Sequence, residues 1–497
     1  MAALDGIYQG FAVALTLKGL AFCFIGVLLG TLVGVLPGIG PAAAISLLLP
    51  TTFRTDPASS MIMLAGLYYG VMYGGSTTSI LVNIPGEAAS VVTCFDGYQM
   101  ARQGRAGPAL GIAALGSFFA GTVGVVGLMF LAPLLASFAL LFGAPEYFSL
   151  MVMSMTLVTY LSRGSQLKAL MMAALGLILG SIGLDAVTAK PRFTYDILVL
   201  RDGIGIVPAV MGLFGISEIL LNVGATMDRE ILKSKITHLL PTRKDWQDSA
   251  MPIARGSLLG FFLGVLPGLG PVIATFLSYG MEKRLSKHPE KFGTGAIEGV
   301  AGPEACNNAV ASGNFVPMLS LGIPANAVMA MLLGALAIYG IQPGPLLIKE
   351  HPQIFWGLIA SMYVGNVMLL ILNLPLIPLW VQVLKIPYGI LYPVILLFCL
   401  IGSYSLNNNI GDVIIMWFFG VFGFVMKKFQ FEPAPLVLAL VLGPMLEDSL
   451  RQSLIISGGN FSIFITRPLS VVFLLVSTSA LLFPLLKLRP RLRETTE

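Results

Sequence analysis

Residues 30–47 read GTLVGVLPGIGPAAAISL and residues 260–277 read GFFLGVLPGLGPVIATFL, ungapped at a shift of 230 and sharing the core GVLPG-(Ile/Leu)-GP. Proline lacks an N–H and glycine tolerates left-handed dihedrals, so PGxGP inside an apolar run cannot continue as helix. Each copy predicts a helix that stops and restarts within a hydrophobic stretch, and two copies predict a duplicated chain. Downstream, residues 74–85 (GGSTTSILVNIP) line up at a shift of 239 with residues 313–324 (GNFVPMLSLGIP), repeating the order glycine, polar cluster, Ile-Pro. A weaker third pair is LFGISE at 213–218 with VLGPMLE at 441–447.

The surroundings of these motifs set the solvent. Of 497 residues, 56% are hydrophobic and only 11% charged, against roughly 25% charged in a soluble domain. That charge cannot cover a water-facing surface of this size, so the solvent is lipid. The apolar runs are long and do not alternate, which excludes a transmembrane barrel and predicts an all-α polytopic bundle. At about 20 residues per span the length allows roughly 10–14 spans. Glycine, 56 of 497 residues, stands at about 11% against a usual 7%. Cys23, Cys94, Cys306 and Cys399 are scattered through apolar stretches and read as small apolar filler. The N-terminus MAALDGIYQG carries no basic n-region, so a cleaved signal peptide is not expected.

Charge placement divides the chain. Residues 1–223 form a first membrane repeat, 224–255 a polar cytoplasmic linker, 256–460 a second repeat, and 461–497 a last span with a basic tail. The linker (Arg229, Lys233, Lys235, Arg243, Lys244, Arg255), the segment with Lys283, Arg284, Lys287 and Lys291, and the tail are placed inside by the positive-inside rule. Only 26 residues separate Arg255 from Glu282, too few for two full spans. A re-entrant hairpin turning at 267–271 fits that count; a single kinked span with the second basic segment outside is the competing reading.

Backbone freed inside lipid is tolerated only where protein buries it or it lines a wet cavity. Two matched breaks therefore predict a cavity, with the breaks Pro37, Gly38, Gly40, Gly268 and Gly270 around it and helix N-termini at Pro41 and Pro271 favouring a carboxylate. The polar clusters add candidate substrate-binding side chains: Ser76, Thr77, Thr78 and Asn83 in the first half, Asn307, Asn308, Ser312 and Asn314 in the second. Glu87, Glu304, Ser79 and Ser320 are candidates for ion coupling, since an intramembrane carboxylate is a functional candidate by default. Hydroxyl and amide oxygens beside broken helices can also hold Na⁺. Each of these residues has a plainer reading as a packing kink or a helix-to-helix hydrogen bond. Asp185, Glu218 and Asp412 read as span-end residues.

No GxxxxGK[ST] loop is encoded, and His238, His288 and His351 lie in polar connections, so neither an ATP motor nor histidine chemistry is expected. An intramembrane aspartyl protease needs Tyr-Asp and Gly-x-Gly-Asp; Tyr195-Asp196 is present but the second stretch reads Asn409-Ile410-Gly411-Asp412. No enzyme, no catalytic residue and no organic cofactor are expected.

Taken in order, LPGIGP, YYGVMYGGSTTSILVNIPGEAASVVTCFDGYQM, LPGLGP and GPEACNNAVASGNFVPMLSLGIP resemble the large membrane subunit of the tripartite tricarboxylate transporters over essentially the full length. The resemblance implies a multi-pass bacterial inner-membrane permease for citrate or another carboxylic acid, driven by a Na⁺ or H⁺ gradient through alternating access. It implies two partners, a small membrane subunit of about four spans and a periplasmic solute-binding protein, and no nucleic acid. A homo-oligomer, and a stand-alone channel or exporter, stay open. One departure is visible: where the family often begins a small pair with glycine after LGIP, this chain has Ala325-Asn326.

Overall fold

At each PGxGP motif one described helix ends before the motif and the next begins within it, at Gly40 in the first copy and Pro271 in the second. The computed structural model describes residues 2–36, 40–53, 55–161, 165–185, 188–222, 239–383 and 388–493. An inbound helix Leu17–Val35 precedes a return helix Gly40–Thr52, and in the second half an inbound helix Arg243–Val265 precedes a return helix Pro271–Leu285. Each inbound helix starts on a threonine cap, Thr16 or Thr242, and stops on an extended leucine, Leu36 or Leu266, whose N–H donates three residues back to Val33 or Leu263. Gly268 takes φ +91°, a left-handed geometry, and Pro271 opens the return helix at a position where its missing N–H costs nothing. Pro37, Gly38 and Ile39 lie outside the described residues.

After each broken pair comes a core helix, Pro57–Val82 in the first half and Glu298–Gly313, continued by Phe315–Leu321, in the second. Both arms end on a left-handed residue at matched positions, Asn83 (φ 56°) and Gly322 (φ 72°). The inbound and core helices touch backbone to backbone. A Cβ on Gly26, Gly30 or Gly34 would lie 2.2, 2.3 or 2.4 Å from the carbonyl oxygens of Met63, Leu67 and Val71. In the second half Gly256, Gly260 and Gly264 meet the carbonyls of Gly302, Cys306 and Val310 at 2.3, 2.3 and 2.5 Å. These six contacts obey the two shifts read from the sequence, 230 on the inbound side and 239 on the core side. The duplication is thus a duplicated helix–helix interface, of the small-residue kind that membrane helices use.

The first core helix is buried from Ser59 to Val82. Ala106–Ala139 lies against the second core helix and Pro352–Asn373 against the first. Five described helices are long and apolar enough to cross a membrane: Leu17–Val35, Ala106–Ala139, Pro352–Asn373, Ile410–Lys428 and Pro433–Ile456. Their outward faces carry exposed Phe130, Leu134, Ile371, Phe418 and Val421, whereas serines, asparagines and glutamates fill the centre. This polar inside and apolar outside is the arrangement a lipid solvent selects, and the chain is an all-α polytopic membrane protein. The two halves also exchange helices. The π-helical turn Met211–Ile216 packs on Ile410–Lys428, while Gln166–Gly180 packs on Pro433–Ile456; Gly212 and Gly176 allow these approaches.

One end of the molecule collects the basic connections. Arg105 pairs with Asp245, Gln103 donates to the Thr294 carbonyl at 2.7 Å, and Asp96 accepts from the amides of Gly293, Gly295 and Ala296. Although partial burial opposes it, the Thr242 and Arg105 bonds hold the Asp245 carboxyl below the usual range. The helix that begins at Arg243 takes in Arg243, Lys244 and Arg255, while Arg229, Lys233 and Lys235 lie outside the described residues, as does His238. Arg255 Nε donates to Glu282 Oε1 at 2.9 Å, so the chain that leaves along Arg243–Val265 comes back to the same level on Pro271–Leu285. In the first half Lys18 and Asp56 form an ion pair across the corresponding unit.

The glycine contacts make a direct prediction. Gly30→Ala and Gly260→Ala each place a methyl against a fixed carbonyl and are expected to cost about 1–3 kcal/mol. Gly280→Ala, where a Cβ meets nothing within 4 Å, should leave the melting temperature unchanged or slightly raised; thermal unfolding in detergent reads all three.

Candidate functional site between the two broken helices

The return helices deliver their first residues to a shared space. Two adjoining cavities of about 590 and 310 Å³ meet along Ala88, Val272, Asn326 and Ala434. Gly40 and Pro41 reach this space from the first half, Gly268, Gly270 and Pro271 from the second. The remaining wall is mostly apolar, with Met72, Val91, Phe214 and Val328, and the polar groups are few: Tyr68, Glu87, Asn326 and Glu432. A concave apolar site with a few convergent polar groups is the usual form of a small-molecule site. Pro41 and Pro271 open helices whose first N–H groups have no intrahelical acceptor, so the positive ends of two dipoles border the cavity.

Symmetry orders this lining. Gly40 matches Gly270 and Pro41 matches Pro271 at 230; Gly86, Glu87 and Ala88 match Ala325, Asn326 and Ala327 at 239. Glu87 and Asn326 are also matched in role. Glu87 caps the short helix Ala88–Ser90, accepting from Ala89 N at 2.7 Å, and Asn326 caps Ala327–Ile338, accepting from Met329 N at 3.0 Å. One side of the cavity therefore carries a carboxylate where the other carries a neutral amide. The tips are held by further bonds, Gly268 N–H to the Ala325 carbonyl at 3.0 Å and Thr275 Oγ1 to the Ala89 carbonyl at 3.1 Å. Gly86 is required as glycine, since a Cβ there would sit 2.2 Å from the Gly34 carbonyl oxygen.

Behind the cavity the core helices are joined by a polar ladder. Ser76 Oγ donates to Glu304 Oε2 at 2.5 Å and Thr93 makes a second hydroxyl bond to the same carboxylate. Asn307 Nδ2 donates to Glu87 Oε1 at 3.0 Å, Asn308 Nδ2 to Ser117 Oγ at 2.7 Å, Tyr69 OH to Ser312 Oγ at 2.9 Å, and Asn314 Nδ2 to Tyr68 OH at 3.0 Å. Thus Ser76, Asn307, Asn308, Ser312 and Asn314 are brought together, yet their bonds run between helices and not into the large cavity. Thr77 lines a separate small cavity with Ser76. Thr78 donates to the Val35 carbonyl at 2.7 Å, taking up an acceptor freed at the first break. Ser79 bonds Ser90 at 2.9 Å and Ser320 bonds its own helix at Val316 O. Asn83 is exposed at the end of its helix. Of the acids at span ends, Asp185 pairs with Arg451, Glu218 with Lys427, and Asp412 accepts from Asn407.

Tyr68, Ser117, Asn366 and Asn373 carry polar groups in this region that the motifs did not single out, and Asn326 stood out only as a departure from the family pattern, not as a site residue. Asn326 had a signal, since it falls on the shift that pairs Ile84-Pro85 with Ile323-Pro324. Asn366 and Asn373 had one as well, as amides within the apolar run 354–380. Ser117 had none.

The tripartite tricarboxylate transporter TctA family matches residues 20–438. The chain belongs to that family. It is 52% identical over 483 residues to an uncharacterized 52.8 kDa protein in the TAR-I ttuC' 3' region of Agrobacterium vitis, covering 97% of this chain and 96% of that protein. A second Agrobacterium vitis protein, uncharacterized and in the TAR-II ttuC' 3' region, is 54% identical over 215 residues, covering 43% of this chain and 89% of its own length. No solved structure matches. As a TctA-family protein the chain is a multi-pass membrane component of a tripartite transport system, a transporter and not an enzyme by family.

The ladder is testable as a unit. Ser76→Ala and Glu304→Gln, singly and together, are expected to be non-additive by about 1–3 kcal/mol in thermal unfolding. Additive losses would mean that the two side chains do not share a bond.

Proposed function

We propose that this TctA-family chain forms the substrate pathway of an ion-gradient-driven carboxylate uptake system in a bacterial inner membrane. The observation that supports it most is the convergence of repeat-equivalent residues, Gly40 with Gly270, Pro41 with Pro271 and Glu87 with Asn326, on one cavity. Duplicated broken helices meeting at one site are the architecture of secondary transporters, in which half-helix N-termini hold an anionic substrate group. Here two such termini border the space, so a substrate with two or more carboxylates can offer one to each. Neutral donors and dipoles bind these groups, because the described lining holds no arginine or lysine.

The hairpin around 267–271 is re-entrant in this reading. Its two limbs are tied at one level by Arg255 and Glu282, and the connections near them carry Arg105, Lys283, Arg284 and Lys287, which supports a cytoplasmic position for that end. Alternating access then moves the glycine-packed inbound and core helices as rigid units about the cavity. A periplasmic solute-binding protein brings the carboxylate and a small membrane subunit of about four spans completes the complex. Citrate and related acids fit the size and the donor set; the coupling ion is Na⁺ or H⁺.

Gly270 gives a clean test, because a Cβ there meets nothing within 4 Å and its φ of −68° suits any residue. Gly270→Phe should fill the cavity without disturbing packing: uptake of labelled carboxylate into proteoliposomes, with small subunit and binding protein present, falls at least tenfold while the melting temperature holds. Wild-type uptake by a well-folded Gly270→Phe protein would remove the cavity as the pathway.

A further inference from the structure

A second, much smaller cavity of about 10 Å³ lies away from the broken tips, lined by Tyr73, Ser76 and Thr77 of the first core helix, Ser117 of Ala106–Ala139, and Asn373 at the end of Pro352–Asn373. Its volume admits one water-sized body. The hydrogens of Tyr73, Ser76, Ser117 and Asn373 are already committed elsewhere. Ser76 donates to Glu304 Oε2 at 2.5 Å, Tyr73 donates to Asn366 Oδ1 at 2.6 Å, and Ser117 Oγ is directed at the Glu304 carbonyl at 3.5 Å. Asn373 Nδ2 donates to the Leu369 carbonyl at 3.0 Å, which fixes the amide's orientation and leaves Asn373 Oδ1 buried with no hydrogen-bond partner. Asn308, whose Nδ2 donates to Ser117, likewise has a buried Oδ1 without a partner.

Ser76, Tyr73, Ser117 and Asn373 therefore present lone pairs to this cavity. A water there finds acceptors for its hydrogens, and of the polar lining groups only the Thr77 hydroxyl is left to donate to its oxygen. A bare cation needs lone pairs alone. We infer that this cavity is a monovalent cation site for Na⁺, formed by oxygens of Ser76, Thr77, Ser117 and Asn373 and balanced by the Glu304 carboxylate behind Ser76. An all-oxygen set suits a hard cation, and one nearby carboxylate matches one positive charge. Among the described residues no group of three His, Cys, Asp or Glu side chains offers a divalent site.

The position also suits coupling, a role that rests on the transport reading above. Side chains from both halves meet here, and Thr78, next to Thr77, holds the Val35 carbonyl at the first break. Binding Na⁺ stiffens the core helix at the point where it controls that break.

The test is thermal unfolding of the purified chain in detergent, with NaCl exchanged against choline chloride or KCl at constant ionic strength. Wild type should show a saturable rise of several degrees with Na⁺ alone. Asn373→Leu and Thr77→Val, each of which deletes a ligand oxygen, should lose that rise, and Asn373→Asp should keep it. No Na⁺-specific rise, the outcome for a water only, overturns the site; so does a full rise in folded Asn373→Leu and Thr77→Val. Uptake separates this from the broader reading. Carboxylate uptake undiminished in Na⁺-free medium, with no Na⁺ rise, overturns the site and spares the transporter; a Na⁺ rise in a chain that moves no carboxylate does the reverse.

Discussion

The close approach of inbound and core helices is the constraint on which the rest depends. Three glycines on each inbound helix let its backbone lie against carbonyls of the core helix, at Met63, Leu67 and Val71 in one half and Gly302, Cys306 and Val310 in the other. In lipid no hydrophobic force draws helices together, so van der Waals contact at short range and interhelical hydrogen bonds carry the association. Because the pairs are this tight, the inbound helix ends at a defined height beside its core helix. The break, the return helix and the Ile-Pro tip then all arrive at one place.

That packing produces a near-symmetric cavity with one asymmetry of chemical consequence. The tips at 86–88 and 325–327 are equivalent by position and by capping role, yet one offers Glu87 and the other Asn326. The core helices behind them are cross-linked through Ser76 to Glu304 and Asn307 to Glu87, each bond joining the first half to the second. Buried polar groups so fully engaged rigidify the centre and specify its geometry. The amide oxygens of Asn307, Asn308, Asn314 and Asn373 are left unengaged, and they mark the spots where the lattice of bonds is incomplete.

Much of this was legible in the order of residues. PGxGP located both breaks, because the proline and glycine chemistry that stops a helix is local. The shifts of 230 and 239 relate the glycine contacts of one half to those of the other, since a duplicated interface keeps its spacing, but which glycine meets which carbonyl came from the packing. Composition assigned the lipid solvent, and the long, non-alternating apolar runs assigned the helical class. What the residues did not disclose was direction. Ser76, Asn307 and Asn308 stand in polar clusters beside the breaks, but whether a side chain faces the cavity or a neighbouring helix depends on the rotation of its helix, which packing decides.

By itself the sequence determined the solvent, the helical class, the duplication and the places where helices must fail, all of which follow from transfer energies and backbone chemistry within a few residues. Only the tertiary structure decided that both return helices open onto one space, that Asn326 stands opposite Glu87, and that Ser117 and Asn373 complete a small oxygen-lined cavity with Ser76 and Thr77. Those facts join residues up to some 300 positions apart, and contacts at such separation are set by how glycine-faced helices nest and not by any local preference of the chain.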